Sequence, residues 1–378
     1  MALFTPLKIR GLEFPNRIVI SPMSQYLSVD GLANDYHFAH LSRFALGGAG
    51  LIFTEATAIE ARGRRTHGDL GLWNDRQIEN LKRISSFLHG QGSLSGIQLG
   101  HAGRKASERR PWHGETPVNG EDLEQRNEAP WTAIAPSSLE YAENWHVPKA
   151  MTEDDIRLLK ENFRTATLRA LEADFDVIEV YAAHGFLLHQ FYSPVSNIRT
   201  DEYGGSFSAR TRLLIEVAEI IRSVWPDDRA LFFRLSACDW LDNGWQLEDT
   251  IKLARQLKTC GVDLIDCSSG GIGGLQSQQK IPLGPAFQAG LAAEVREKAE
   301  IMTMAVGLIW EAEVANKIIL EEQADLVAIA REALNNPNWP LHAAAELGLD
   351  GDYSFWKPQF GWWLNKRERL FKYLGLDR

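Results

Sequence analysis

Eight short apolar runs recur along the chain, each bounded by polar segments and followed by a stretch whose apolar residues repeat at helical spacing. They are 17–24 (RIVISPMS), 49–57 (AGLIFTEAT), 94–101 (LSGIQLGH), 175–181 (FDVIEVY), 230–237 (ALFFRLSA), 262–269 (VDLIDCSS), 301–308 (IMTMAVGL) and 324–331 (ADLVAIAR). Near-continuous apolarity over so few residues marks strands buried on both faces, as in a parallel sheet. Helical patterns alternate with them at 36–46, 75–89, 154–173, 208–224, 247–259, 288–298, 311–320 and 332–347. Ahead of the 154–173 helix, Thr152 supplies an N-cap and Asp155 stands three residues on, an approximate capping box.

Parallel strands need crossovers, and crossovers are right-handed, so eight β-then-α units predict an α/β protein, a single (β/α)8 TIM barrel. The opening FTPLKIRGLEFPNR reads as a hairpin closing the barrel bottom. No linker is visible, so 1–350 is taken as the barrel and 351–378 as a tail. The long loop after strand 3, 106–149, carries Trp112, Trp131 and Trp145, an aromatic content that predicts a lid. The tail is too rich in aromatics for a free end and is expected to dock, on its own barrel or on a neighbouring subunit.

Composition narrows the picture only slightly. Hydrophobic residues at 44% and charged residues at 24% are ordinary for a globular protein. A net charge of -10 argues against a nucleic-acid surface, and RRPWH at 109–113 is too short to reverse that. Cys238, Cys260 and Cys267 are too few and too oddly spaced for a disulfide framework or a metal site, so a reducing cytoplasm is expected and no metal. The start MALFTPLKIRG holds no apolar run of signal or membrane length, so no membrane is expected.

Chemistry-bearing side chains gather at the C-terminal strand ends, the face on which barrels of this kind carry their active sites. Strand 1 offers Ser24 and Tyr26, strand 2 Glu55 and Thr57, and strand 3 Gln98 and His101. Strand 4 offers Tyr181 and His184, strand 5 Arg234 and Asp239, and strand 6 Ser268 and Ser269. Gly307 and Arg331, after strands 7 and 8, stand where such barrels bind phosphate. Lys105 is the one lysine placed at a strand end for Schiff-base chemistry. No GxGxxG follows a strand, so no separate dinucleotide domain is expected.

Four stretches together make the chain similar to a known family: FTPLKIRGLEFPNRIVISPMSQY, IQLGHAGRKA, AAHGFLLHQFYSPVSNIRTDEYGGS and VDLIDCSSG. The sequence resembles the old yellow enzyme family of FMN-dependent oxidoreductases, most closely the bacterial branch that includes xenobiotic reductases. The resemblance implies noncovalent FMN at the top of the barrel, with NADPH or NADH as reductant binding over the flavin. It lays Pro22, Met23 and Ser24 along the flavin, puts Ala56 and Gln98 on its ring, and sets Arg234 near N1. Gly307, Ala330 and Arg331 take the phosphate end. An aromatic residue near the C-terminus, Trp363 here, reaches a neighbouring subunit's site in the related branch, which implies a homodimer or higher homo-oligomer.

Three departures bear on the chemistry. Ser24 stands where this branch usually has a redox-tuning cysteine. Tyr181 replaces the first of two substrate-binding residues, leaving His184 as the second. Phe186 stands where the proton-donating tyrosine is usual, so the proton would come from Tyr26, Tyr181 or water. The expected reaction is hydride transfer from NAD(P)H, through the flavin, to an electron-poor C=C bond of an enone, quinone or nitro compound. Phe186, Ser268 and Trp363 would line the substrate pocket. The alternative is oxidation or demethylation of a secondary or tertiary methylamine by a Tyr181, His184 and Asp239 set. Against it, the clustered cysteines of an iron–sulfur segment are missing.

Overall fold

The computed structural model describes residues 1–273 and 281–376. Eight parallel strands close into a barrel: β1 (Ile18–Ile20), β2 (Leu51–Ala58), β3 (Leu94–Gly100), β4 (Val177–Ala182), β5 (Ala230–Ser236), β6 (Leu264–Ser268), β7 (Met302–Val306) and β8 (Leu326–Ile329). Strand β1 pairs with both β2 and β8, which completes the circle. Helices α1 (Asp35–Leu46), α2 (Ile78–Gly90), α3 (Glu153–Glu172), α4 (Phe207–Val224), α5 (Leu247–Thr259), α6 (Ala289–Ala299) and α7 (Ala312–Leu320) surround it. The (β/α)8 expectation is met.

Three elements differ from the sequence reading. The helix expected over 332–347 is two, α8 (Arg331–Asn335) and α9 (Trp339–Glu346), because Pro337 between them has no N–H to continue the ladder. The 106–149 loop contains a short helix (Gly120–Arg126), and a strand pair joins Ile134–Ala135 to Lys149–Ala150. The tail carries a further helix, α10 (Pro358–Leu374), with proline in its first turn and Gly375 in the left-handed conformation after it. The Thr152 cap is present as read: its hydroxyl accepts the Asp155 N–H at 3.2 Å, and the Asp155 carboxylate accepts the Thr152 N–H at 3.1 Å.

Period two along the strands decides what faces the barrel axis. In β4, Ile178, Val180 and Ala182 join the core shared with the helices, while Val177 joins the interior cluster with Phe53, Phe232, Leu264 and Met304. The N-terminal hairpin, Leu7–Ile9 paired with Leu12–Phe14, caps this cluster from below through Ile9 and Phe14. Continuing upward in the same phase, the interior turns polar with Glu179 of β4, Arg234 of β5, Asp266 of β6 and Gln98 of β3. In β2 a register shift between Phe53 and Ala56 changes the phase, so that Ala56 pairs with Gln98. Glu55 is thereby directed elsewhere, to His37 of α1 at 3.5 Å and to the Gln25 N–H.

Candidate active site

Polar side chains at the top of the interior meet one another but leave Glu179 Oε2 without a hydrogen-bond partner among the described residues. The Gln98 amide donates to Glu179 at 2.7 Å, and the Arg234 guanidinium lies 3.1 Å from Asp266 and donates to Ser21 at 3.1 Å. Burial and then the neighbouring Asp266 push the Glu179 carboxyl well above the usual range. Burial raises the Asp266 carboxyl as well, against the pull of Arg234, so one guanidinium faces two interacting buried carboxyls. Burial alone would lower the Arg234 pKa, but Asp266 and Glu179 outweigh it, so a fixed cation sits at the barrel top.

Strand β4 ends in a turn with His184 at φ +53° and Gly185 at +75°. A side chain at Gly185 would strike the Gly271 carbonyl at 2.2 Å, so the turns after β4 and β6 pack backbone on backbone. Gly100 similarly leaves room for Tyr181, whose Cβ lies 2.9 Å from where a Cβ would stand. The Tyr181 hydroxyl is 2.9 Å from His184 Nδ1, and Ser268 Oγ is 2.5 Å from Nε2. The His184 N–H donates to Ser236 at 2.9 Å, fixing the backbone as well. Burial, then Arg234 and Lys105, drive the His184 pKa well below its usual 6.5, so the ring is neutral. Burial pushes the Tyr181 phenol up to about 12. Phe186 stacks on Tyr181 with ring centroids 4.2 Å apart.

A cavity of about 580 Å³ runs from His184, Arg234 and Ser268 to Gly307, Ala330 and Arg331. At Gly307 (φ +116°) a Cβ would lie 2.6 Å from the Gln288 amide and 2.9 Å from Phe287, so the backbone there is bare and exposed to the cavity. Gln288 is held by Ser269 at 2.7 Å and by the Val306 carbonyl at 2.8 Å. A cavity of this volume with one buried and one rim arginine fits a flat ring system ending in a phosphate.

The other expected site residues stand in different states. Pro22, Met23 and Ser24 are half-buried on the segment leaving β1. Tyr26 is buried; its hydroxyl accepts from Arg65 at 3.0 Å, and its ring meets Trp112 edge-on at 5.8 Å. Trp363 is 62% exposed on α10, outside the pocket of its own chain. Asp239 corrects the sequence reading: it does not join Tyr181 and His184. It is fully buried and accepts from His189 at 2.8 Å, Ser193 at 2.7 Å and the Trp245 N–H at 2.8 Å. The amine-oxidising set thereby loses its third member. Glu179, Asp266, Ser21 and Gln288 were not singled out in the sequence. The available signal was an acidic residue in the inward phase of an otherwise apolar strand, in both FDVIEV and VDLIDC.

Residues 2–350 match the NADH:flavin oxidoreductase / NADH oxidase family. An NADPH dehydrogenase of Listeria innocua is 42% identical over 348 residues, covering 92% of this chain and 95% of the relative. The chain belongs to this family, the old yellow enzymes. Among solved structures, morphinone reductase in complex with tetrahydroNAD superposes with a TM-score of 0.74 at 26% identity, over 93% of this chain and 92% of that one. A 2-naphthoyl-CoA reductase superposes with a TM-score of 0.81 at 22% identity, over 93% of this chain; the chain spans only 53% of that longer protein, and the likeness is one of fold. This old yellow enzyme is therefore an FMN-dependent oxidoreductase with a nicotinamide reductant. Among the described residues, no helix is long and apolar enough to cross a membrane, and no group of three or more His, Cys, Asp or Glu is placed to hold a metal.

Proposed function

We propose that this old yellow enzyme reduces electron-poor C=C bonds of enones, quinones or nitro compounds with electrons from NADPH or NADH. The observation that carries the reading is the Tyr181–His184–Ser268 hydrogen-bonded set beside the cavity that holds Arg234. FMN bound here would supply the hydride-transfer chemistry. Gln98, Ala56 and the Pro22, Met23 and Ser24 segment would line its ring, Arg234 would supply positive charge beside it, and Gly307, Ala330 and Arg331 would take its phosphate.

The chain's own groups then handle the substrate. A neutral imidazole has one N–H. With that N–H on Nδ1, Ser268 donates to His184 Nε2, His184 donates to the Tyr181 oxygen, and the phenol hydrogen of Tyr181 is left to point at a substrate carbonyl or nitro oxygen. That bond strengthens as negative charge builds on the oxygen, so it favours the transition state over the ground state. Phe186 and Ser268 bound the pocket, and Trp363 of a second copy closes it. Three unbridged cysteines suit a reducing cytoplasm.

Anaerobic mixing with NADPH, NADH, trimethylamine, dimethylamine and dimethylglycine, followed at the oxidised-flavin band, tests the reaction. Fast bleaching by a nicotinamide and reoxidation by an enone is expected; bleaching by an amine alone overturns the proposal. Replacing His184 by Ala removes the support behind Tyr181 and should weaken phenolate ligands by about tenfold or more. Unchanged phenolate titrations would give the pair another role.

A further inference from the structure

Phe186 has no hydroxyl, but an amine from another element stands over its ring. Lys105, in the turn after β3, places Nζ 5.8 Å from the Phe186 ring centroid and 4.7 Å from that of Tyr141. Its one hydrogen bond among the described residues is to the His184 carbonyl at 3.1 Å, and it makes no ion pair there. The ammonium is thus held between two ring faces, one residue pair away from the Tyr181 phenol that stacks on Phe186. An amine tied down by one bond keeps N–H groups to give.

Resting on the proposed alkene reduction, we propose that Lys105 is the proton donor to the substrate α-carbon in this enzyme. Hydride arriving at the β-carbon supplies both electrons of the reduction, and the π pair moves onto the α-carbon and its activating oxygen. The α C–H bond forms as an N–H bond of Lys105 breaks. The resulting neutral amine takes its proton back from water. Acidity favours this assignment over the two phenols. Burial, then Arg65, lowers the Lys105 pKa to about 7, whereas burial raises Tyr26 and carries Tyr181 to about 12. A donor that must lose and regain a proton each turnover works best near the ambient pH. The groups that set its charge are Arg65, Arg104, Glu108 and Glu115 around it, with Tyr141 and the neutral His184 in contact.

The test compares FMN-loaded wild type, Lys105→Met and Lys105→Arg on 2-cyclohexenone and on 1,4-benzoquinone, whose reduced oxygens take protons from water. With Lys105→Met, enone turnover should fall about 100-fold while quinone turnover holds. Lys105→Arg should not rescue it, because a guanidinium keeps its proton. Wild-type enone turnover should decline above about pH 7, and that limb should vanish in Lys105→Met. Independently of turnover, trinitrophenylation of Lys105 in the flavin-free protein, read by peptide mass spectrometry, should reach half its rate near pH 7. Full enone turnover in Lys105→Met, a labelling midpoint near the ordinary 10.5, or loss of the basic limb in Tyr26→Phe instead, overturns the assignment. Failure of wild type to reduce either substrate with NADPH or NADH sinks the alkene-reductase reading itself, and Lys105 with it.

Discussion

If Gly307 takes the phosphate end as proposed, a single added atom there should decide cofactor retention. Its φ of +116° is a conformation that side chains rarely adopt, and the cavity wall of Gln288 and Phe287 stands closer than any real Cβ tolerates. Gly307→Ala should therefore cost about 1–3 kcal/mol of backbone strain and crowd the phosphate end. The expected outcome is protein purified with a markedly lower flavin-to-protein absorbance ratio; a wild-type ratio would remove Gly307 from the cofactor site. The same scale explains why the sequence reading placed Asp239 with the wrong histidine. The segment HGFLLH offers two histidines, His184 and His189, and spacing alone does not say which one meets Asp239. The turn at His184 and Gly185 decides it. The Gly185 N–H donates to His189 Nδ1 at 2.8 Å, which leaves Nε2–H for Asp239 and turns His184 toward Tyr181.

Strands were legible because their buried runs are short and nearly pure, and the alternation with helices then fixed the barrel. What escaped was phase. Glu179 and Asp266 sit in runs that look uniformly buried, and only the inward face shows Glu179 bonded by Gln98 beside Asp266 paired with Arg234. The shift inside β2 that brings Ala56 beside Gln98 leaves no mark in AGLIFTEAT, because a bulge is set by pairing with β3 rather than by composition. Helix α10 escaped because its aromatics cover most of its surface instead of forming one stripe. One contact between elements carries a pH prediction. His89, in the last turn of α2, lies 2.7 Å from Asp176 just ahead of β4, and this bond first of all raises the His89 pKa above its usual 6.5. A raised folded-state pKa adds stability that is fully present below the unfolded value and is lost as pH rises through the folded value. His89→Gln should thus lower Tm more at about pH 6 than at about pH 9. Equal losses in thermal scans at the two pH values would show that the pair acts only as a neutral hydrogen bond.

At the scale of the molecule the unresolved charge and apolar balance lies in the tail. Its first part is fastened to its own barrel: Phe355 meets Phe4 edge-on at 6.0 Å, Trp356 meets His342 at 5.6 Å, and Lys357 donates to the Gln91 carbonyl at 2.6 Å. Beyond it α10 presents Trp362, Trp363, Leu370 and Tyr373 to the outside, the last at 86% exposure. Apolar patches of that kind on a helix are rare on a monomer surface and mark a contact. Its basic residues, Lys366, Arg367, Arg369 and Lys372, face only Glu368 in opposition, while the whole chain is at -10. A cationic aromatic helix on an acidic body is suited to a second copy of that body. If the tail docks on a second copy, removing the chain from Phe355 onward should turn the oligomer into a monomer by light scattering and change the kinetics with bulky enones, because Trp363 would no longer reach the second pocket. Trp363→Ala separates the two effects: assembly should persist, held by the rest of the helix, while the enone KM shifts. A full-length protein that scatters as a monomer, or a truncated one with unaltered mass and kinetics, would confine the tail to its own barrel.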